Sequence, residues 1–175
     1  GWSSAIRWLS SLYEVTGRLY HMRGFVEEMS AGAATTMCAE WNGINQYGQY
    51  AVCLTLEQAS NGSPARGISD GEPAAWCVYT ANADFGNAEV MELYYPLLYL
   101  GRNMEPDSGG YGKFRGGLGH TTVWMVKNSP EMHYAAACAG AHSKITANHG
   151  MYGAYPTPGD RVAYAAGTNV RELIE

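Results

Sequence analysis

The sequence predicts an α+β domain, β-rich, in which an N-terminal amphipathic helix precedes mixed or antiparallel sheets. Three observations carry this. Apolar residues fall at helical spacing near the start of the chain, at Ile6, Leu9, Tyr13, Thr16 and Tyr20. Further on, short apolar runs alternate with Gly and Pro punctuation, which is the pattern of strands joined by turns. The chain has 175 residues and is 46% hydrophobic, enough for a single domain over residues 1–175 with a real core.

The elements follow in order. Ser3 and Ser4 offer a hydroxyl cap for the first helix, and Gly24 marks its end. The small residues 30–36 suit a tight passage or a short helix. Residues 49–57 read as a buried strand bounded by the turn sequence Asn61-Gly62-Ser63-Pro64. Further strands are expected at residues 74–80, 88–95, 97–103, 120–127, 132–138 and 161–166. Neither an internal repeat nor a low-complexity tract interrupts the chain.

Composition excludes several functions. The formal charge is −5 and the basic residues are scattered, which argues against nucleic acid or an acidic membrane surface as partner. No apolar run approaches about eighteen residues and no charged-then-apolar leader opens the sequence, so the cytoplasm is the default compartment and small molecules or proteins are the expected partners. Cys38, Cys53, Cys77 and Cys138 contain no Cys-x-x-Cys pair and read as buried free thiols. His21, His120, His133, His142 and His149 lack a short metal-binding spacing, although a ligand set can still assemble in space.

The most unusual segment is Pro106 to His120, which holds six glycines around Lys113 and Arg115. Such density points to tight turns or to close approach of the backbone to something else. It is not a Walker A loop, because Asp107 stands where the first glycine belongs and Phe114 where Ser or Thr follows the lysine. A dinucleotide fingerprint fails as well, since the strand formers Thr121 to Val126 follow instead of a helix. A glycine loop between two strands remains. Its cations, two residues apart, share a side if that piece is extended. Asp107, Gly109, Gly110, Lys113, Arg115 and His120 are therefore candidates for binding a substrate anion such as carboxylate, bicarbonate or phosphate. The plainer reading is a wide turn with solvated cations and a surface histidine. A second polar connection, Arg66 to Glu72, either lines the same cleft, with Asp70 holding Arg66 or Arg115, or is an Asp-Gly turn. Asn42, Asn45 and Gln46 either line a site for a carbonyl or satisfy loop backbone.

The stretch from Glu89 to Gly119, with its Tyr95-Pro96 pair and its Asp-Ser-Gly-Gly-x-Gly-Lys-x-Arg-Gly-Gly-x-Gly run, strongly resembles the signature of the hydantoinase B/oxoprolinase family. Asn45 to Gln49 and Gly150 to Pro156 are similar to the branch found in acetone and acetophenone carboxylases. The resemblance implies part of a larger multi-subunit fold: an ATP-dependent ketone carboxylase that adds bicarbonate-derived CO2 to a ketone enolate, with ketone and bicarbonate as small-molecule ligands. It also implies a hydantoinase A-like ATP-binding subunit as partner, beside the remaining part of the hydantoinase B-like subunit. ATP and a divalent metal (Mg, Mn or Zn) would serve the complex, with the family's metal-binding motifs in an upstream portion that has no counterpart here, so no metal ligand is assigned to this chain. Gly1 in place of an initiator methionine fits a C-terminal fragment of a longer subunit, inactive alone. The alternatives are an ATP-dependent amidohydrolase acting on hydantoin, 5-oxoproline or another lactam, or a noncatalytic scaffold segment.

Overall fold

The computed structural model describes residues 2–27, 37–55, 62–75, 87–138, 150–157 and 163–174. Helix α1 spans Trp2–Met22. It stops where the sequence says it should. Gly24 takes φ +83°, its N–H donates to the His21 carbonyl at 2.9 Å, and the Phe25 N–H reaches back to Tyr20 at 3.0 Å. These two bonds satisfy carbonyls that the last turn leaves without an intrahelical partner.

Strands β1 (Met37–Ile44), β2 (Tyr50–Thr55) and β5 (Met132–Cys138) form an antiparallel sheet in the order β2-β1-β5. Strands β3 (Leu97–Met104) and β4 (His120–Val126) form a separate antiparallel pair with a bulge between Tyr99 and Gly101. Period-two alternation sends Ala39 and Trp41 of β1, and Cys53 and Thr55 of β2, to the buried face. Tyr50, Val52 and Leu54 face outward. Leu97 of β3 closes this core, with Met91, Tyr95, Trp124, Met132 and Tyr134 packed around it. Trp41 touches both sheets: its ring lies 4.7 Å from Tyr134 and 5.9 Å edge-on from Trp124. Cys53 is a buried free thiol. The other cysteine side chains fall outside those described. Burial, together with the neighbouring Cys53, raises the Tyr95 hydroxyl above its ordinary value.

The β1–β2 hairpin is held by a buried asparagine. The Asn45 carboxamide oxygen accepts the N–H groups of Tyr47 at 3.0 Å and Gln49 at 2.9 Å, while Gly48 turns the chain at φ +76°. Asn45 therefore satisfies loop backbone rather than facing a ligand. Asn45→Ala removes the one oxygen that accepts both bonds, at a site only 8% exposed, and should cost about 1–2 kcal/mol in denaturant unfolding. Asn45→Asp keeps an acceptor oxygen and should recover most of that loss.

Four expected strands are present as β2, β3, β4 and β5, within two residues at each end. Residues 88–95 are not a strand. Ala88–Tyr94 is helix α2, because Asn87 caps it through bonds from Glu89 N–H at 2.8 Å and Val90 N–H at 3.3 Å. It ends at Tyr95, which Pro96 forces into an extended conformation. The strand expected at 161–166 is also absent where it is described: residues 163–166 are irregular and Tyr164 is 89% exposed. The expected passage at 30–36 lies outside the described residues, as does 76–80 of the strand expected at 74–80, whose Ala74 is instead a turn residue at φ +46°. Strand β1 and the short helix α3 (Val170–Ile174) were not foreseen. The Glu40, Asn42 and Gly43 positions break the apolar pattern of β1.

Candidate functional site

The glycine loop leaves β3 and returns to β4. At its base the Glu105 N–H donates to the Gly119 carbonyl at 2.9 Å, and Ser108 Oγ, 2.7 Å from the Glu105 carbonyl, accepts the Gly119 N–H at 2.8 Å. None of the six glycines adopts the left-handed conformation; the residue that does is Asp107, at φ +56°. Gly109, Gly110 and Gly117 serve close approach instead, and what approaches is backbone. A Cβ on Gly117 would overlap the carbonyl of Glu72, and one on Gly109 would overlap the carbonyl of Gly116. A Cβ on Gly110 would lie 2.6 Å from the Tyr155 carbonyl oxygen. The loop is thus a junction, clamped between residues 62–74 on one side and 150–157 on the other.

Hydrogen bonds fix this junction. Gly117 N–H donates to Ser63 at 2.9 Å, Gly71 N–H to Arg115 at 2.8 Å, Ala74 N–H to Leu118 at 2.7 Å and Tyr155 N–H to Tyr111 at 2.7 Å. The Asp70 carboxylate accepts the Arg115 backbone N–H at 2.8 Å. Asp70 therefore holds Arg115 by its backbone, while Arg66 N–H closes a turn onto Ser69 at 3.0 Å. Four amides of the loop, those of Arg115, Gly116, Gly117 and Gly119, are committed to protein acceptors. Of the loop amides that are left, those of Gly110, Gly112, Lys113 and Phe114 belong to residues that line the cleft described next.

Beside the junction lies a cleft of about 600 Å³. Residues from the loop, from 62–67, from 150–157 and from the end of α1 line it. The candidate residues separate here. Gly110 and Lys113 line the cleft, and Gly109 is buried under the loop. Arg115 does not line it. The segment bends instead of extending, so Lys113 lies over the Phe114 ring at 5.2 Å while Arg115 stacks on Tyr111 at 5.5 Å. Asp107 accepts the Tyr111 hydroxyl at 3.0 Å, and this bond raises the Tyr111 pKa above its ordinary value. His120 opens β4 opposite Met104 and is outside the cleft lining. Gln46 is also elsewhere, donating to the Leu93 carbonyl at 3.0 Å.

Sequence reasoning missed His21 and Tyr152 at the cleft. Their rings lie 4.6 Å apart, and the Arg18 guanidinium sits 5.8 Å from the Tyr152 ring centre. No local signal links residues so far apart in the chain. Among the described residues, no three His, Cys, Asp or Glu side chains group as a metal-ligand set, and no described helix is long and apolar enough to cross a membrane. The described residues therefore do not fit a resident metal.

The family model described as hydantoinase B/oxoprolinase matches residues 7–174. The chain is 34% identical to the acetone carboxylase alpha subunit of Xanthobacter autotrophicus over 176 residues, covering 99% of this chain and 22% of that protein. It is 32% identical to the acetophenone carboxylase delta subunit of Aromatoleum aromaticum, covering 75% of this chain and 19% of that one. A nucleotide-free structure of acetone carboxylase, solved for the mechanism of ATP-dependent acetone carboxylation, superimposes with a TM-score of 0.81 at 34% identity over 97% of this chain and 22% of its own. The chain thus spans about a fifth of the length of these relatives. With the family pattern matched along nearly its whole length and the α+β fold shared with part of a carboxylase subunit, the chain belongs to the hydantoinase B/oxoprolinase family.

Proposed function

We propose that this chain is part of the hydantoinase B-like subunit of an ATP-dependent ketone carboxylase of the acetone or acetophenone type, working beside a hydantoinase A-like ATP-binding subunit. The observation that carries the reading is the full-length match to one part of the acetone carboxylase alpha subunit, in sequence and in fold. The glycine junction then serves as one wall of a reaction cavity. Joining an enolate to CO2 builds carboxylate charge in a site from which water must be kept, so donors must already point at the place where that charge develops. Lys113 supplies a cation on the cleft, on a loop whose backbone packs tightly against residues 62–74 and 150–157. ATP chemistry and any metal chemistry belong, in this reading, to other parts of the assembly.

The test is made on the complete assembly. ATP consumption with acetone or acetophenone plus bicarbonate is compared with consumption on hydantoin and 5-oxoproline. Ketone-dependent carboxylate formation supports the proposal, and lactam opening without it assigns the chain to the amidohydrolases. Replacing both Lys113 and Arg115 by alanine should depress carboxylation, and Lys113→Ala alone should carry most of the loss, about 10- to 100-fold in kcat/KM. Normal turnover in the double variant removes the loop from the mechanism.

A further inference from the structure

The lining of the 600 Å³ cleft runs against the charge of the chain. The sequence carries 16 acidic and 11 basic residues, yet among the described residues the lining holds Arg66, Lys113 and His21 and no Asp or Glu. Glu27 and Glu72 border the cleft's segments without lining it, and four other carboxylates are engaged elsewhere. Asp70 accepts the Arg115 backbone N–H, Asp107 accepts the Tyr111 hydroxyl, Glu105 accepts the Thr121 hydroxyl, and Glu14 binds Arg18 at 2.7 Å. Among the described residues neither Arg66 nor Lys113 has a carboxylate partner. The larger side chains of the wall are aromatic or apolar, Phe114, Tyr152, Tyr155, Met151 and Val26, beside the hydroxyls of Ser63 and Thr157 and a run of glycines.

Tyr152 is held in a costly way. It adopts φ +52°, where a side chain is disfavoured, and its ring is fixed by the His21 ring and the Arg18 guanidinium. The chain therefore keeps an aromatic face at the cleft where glycine would be easier. A lining that sets Arg66 and Lys113, neither with a carboxylate partner among the described residues, beside aromatic rings matches a ligand that is anionic at one end and planar at the other.

From this we infer that the cleft is a binding site for a small organic anion, a carboxylate or phosphate ester, whose charged end is taken by Arg66 and Lys113 while its planar or apolar body lies against Tyr152 and Tyr155. The inference names the ligand class for the cavity wall proposed above, and it rests on that reading only for its place in catalysis. Both cations are exposed at the rim, so their attraction is screened by salt.

Binding is measured by calorimetry on the complete protein, with benzoate and phenyl phosphate against the neutral benzamide and the cationic benzylamine. The anions should bind at least tenfold more tightly than benzamide, and benzylamine should bind most weakly. Raising salt from about 0.05 to 0.5 M should weaken the anions several-fold and leave benzamide unchanged. Arg66→Gln and Lys113→Gln should each weaken the anions by about tenfold. If either variant fails to fold, the salt and headgroup comparisons on the unaltered protein still decide. Selectivity for either anion that is lost in the variants supports the site, and comparison of benzoate with phenyl phosphate tells which headgroup it takes. Benzamide binding as tightly as benzoate, or anion affinity unchanged in a folded variant carrying both Arg66→Gln and Lys113→Gln, overturns it. Anion selectivity without ketone carboxylation would sink the proposed function and leave this site standing; carboxylation with an anion-indifferent cleft would do the reverse.

Discussion

Gly117→Ala is expected to destabilise the protein by about 3 kcal/mol or more, one of the largest effects any single methyl group can have here. The added Cβ would overlap the carbonyl carbon and oxygen of Glu72 and approach the Pro73 nitrogen to 3.0 Å. Neither can step aside cheaply. Glu72 is tied to Ser63 through both its N–H and its carbonyl, and the proline ring fixes the next φ. Moving Gly117 instead breaks its 2.9 Å bond to Ser63 and strains the 2.7 Å bond between Ala74 and Leu118. Gly119→Ala is the matched control, since its Cβ meets only Ser108 Oγ at 3.7 Å, an ordinary contact, and its φ lies outside the left-handed region. That variant should stay within about 0.5 kcal/mol of the parent. Chemical denaturation of the two proteins checks the pair, and equal stability would mean that the glycines are not there for close packing.

Trp41→Ala should cost about 3–5 kcal/mol. Trp41 is 9% exposed in β1 and packs on Tyr134 of its own sheet and Trp124 of the other. Truncation leaves a cavity at the place where the two sheets meet, bounded by strands whose hydrogen-bonded ladders resist collapse. Trp41→Phe retains most of the buried area and should recover more than half of the loss. Equilibrium unfolding reads both. A loss below about 1 kcal/mol for the alanine variant would show that the sheets are not joined through this ring.

Several features were legible because their causes are local. The Gly24 stop of α1 needed only a residue that tolerates positive φ. Strands β2, β3, β4 and β5 follow apolar runs between Gly and Pro breaks. Residues 88–95 misled because Val90, Leu93 and Tyr94 suit a helix face as well as a strand. The deciding signal was one polar side chain, Asn87, just before the run. Strand β1 hid for the opposite reason: Glu40 and Asn42 lie on its solvent-facing side, while the buried Ala39 and Trp41 are too few to declare a period.

By itself the sequence determined that this is an α+β chain with a helix, a set of strands and a glycine-dense loop bearing a family signature, because propensity, periodicity and motif are properties of neighbouring residues. Only the tertiary structure decided what the glycines approach, that Lys113 reaches the cleft while Arg115 does not, and that His21 and Tyr152 meet there. The physical reason is that a glycine carries no side chain to betray its partner. Close backbone packing between segments dozens of residues apart exists only once the chain has folded back on itself.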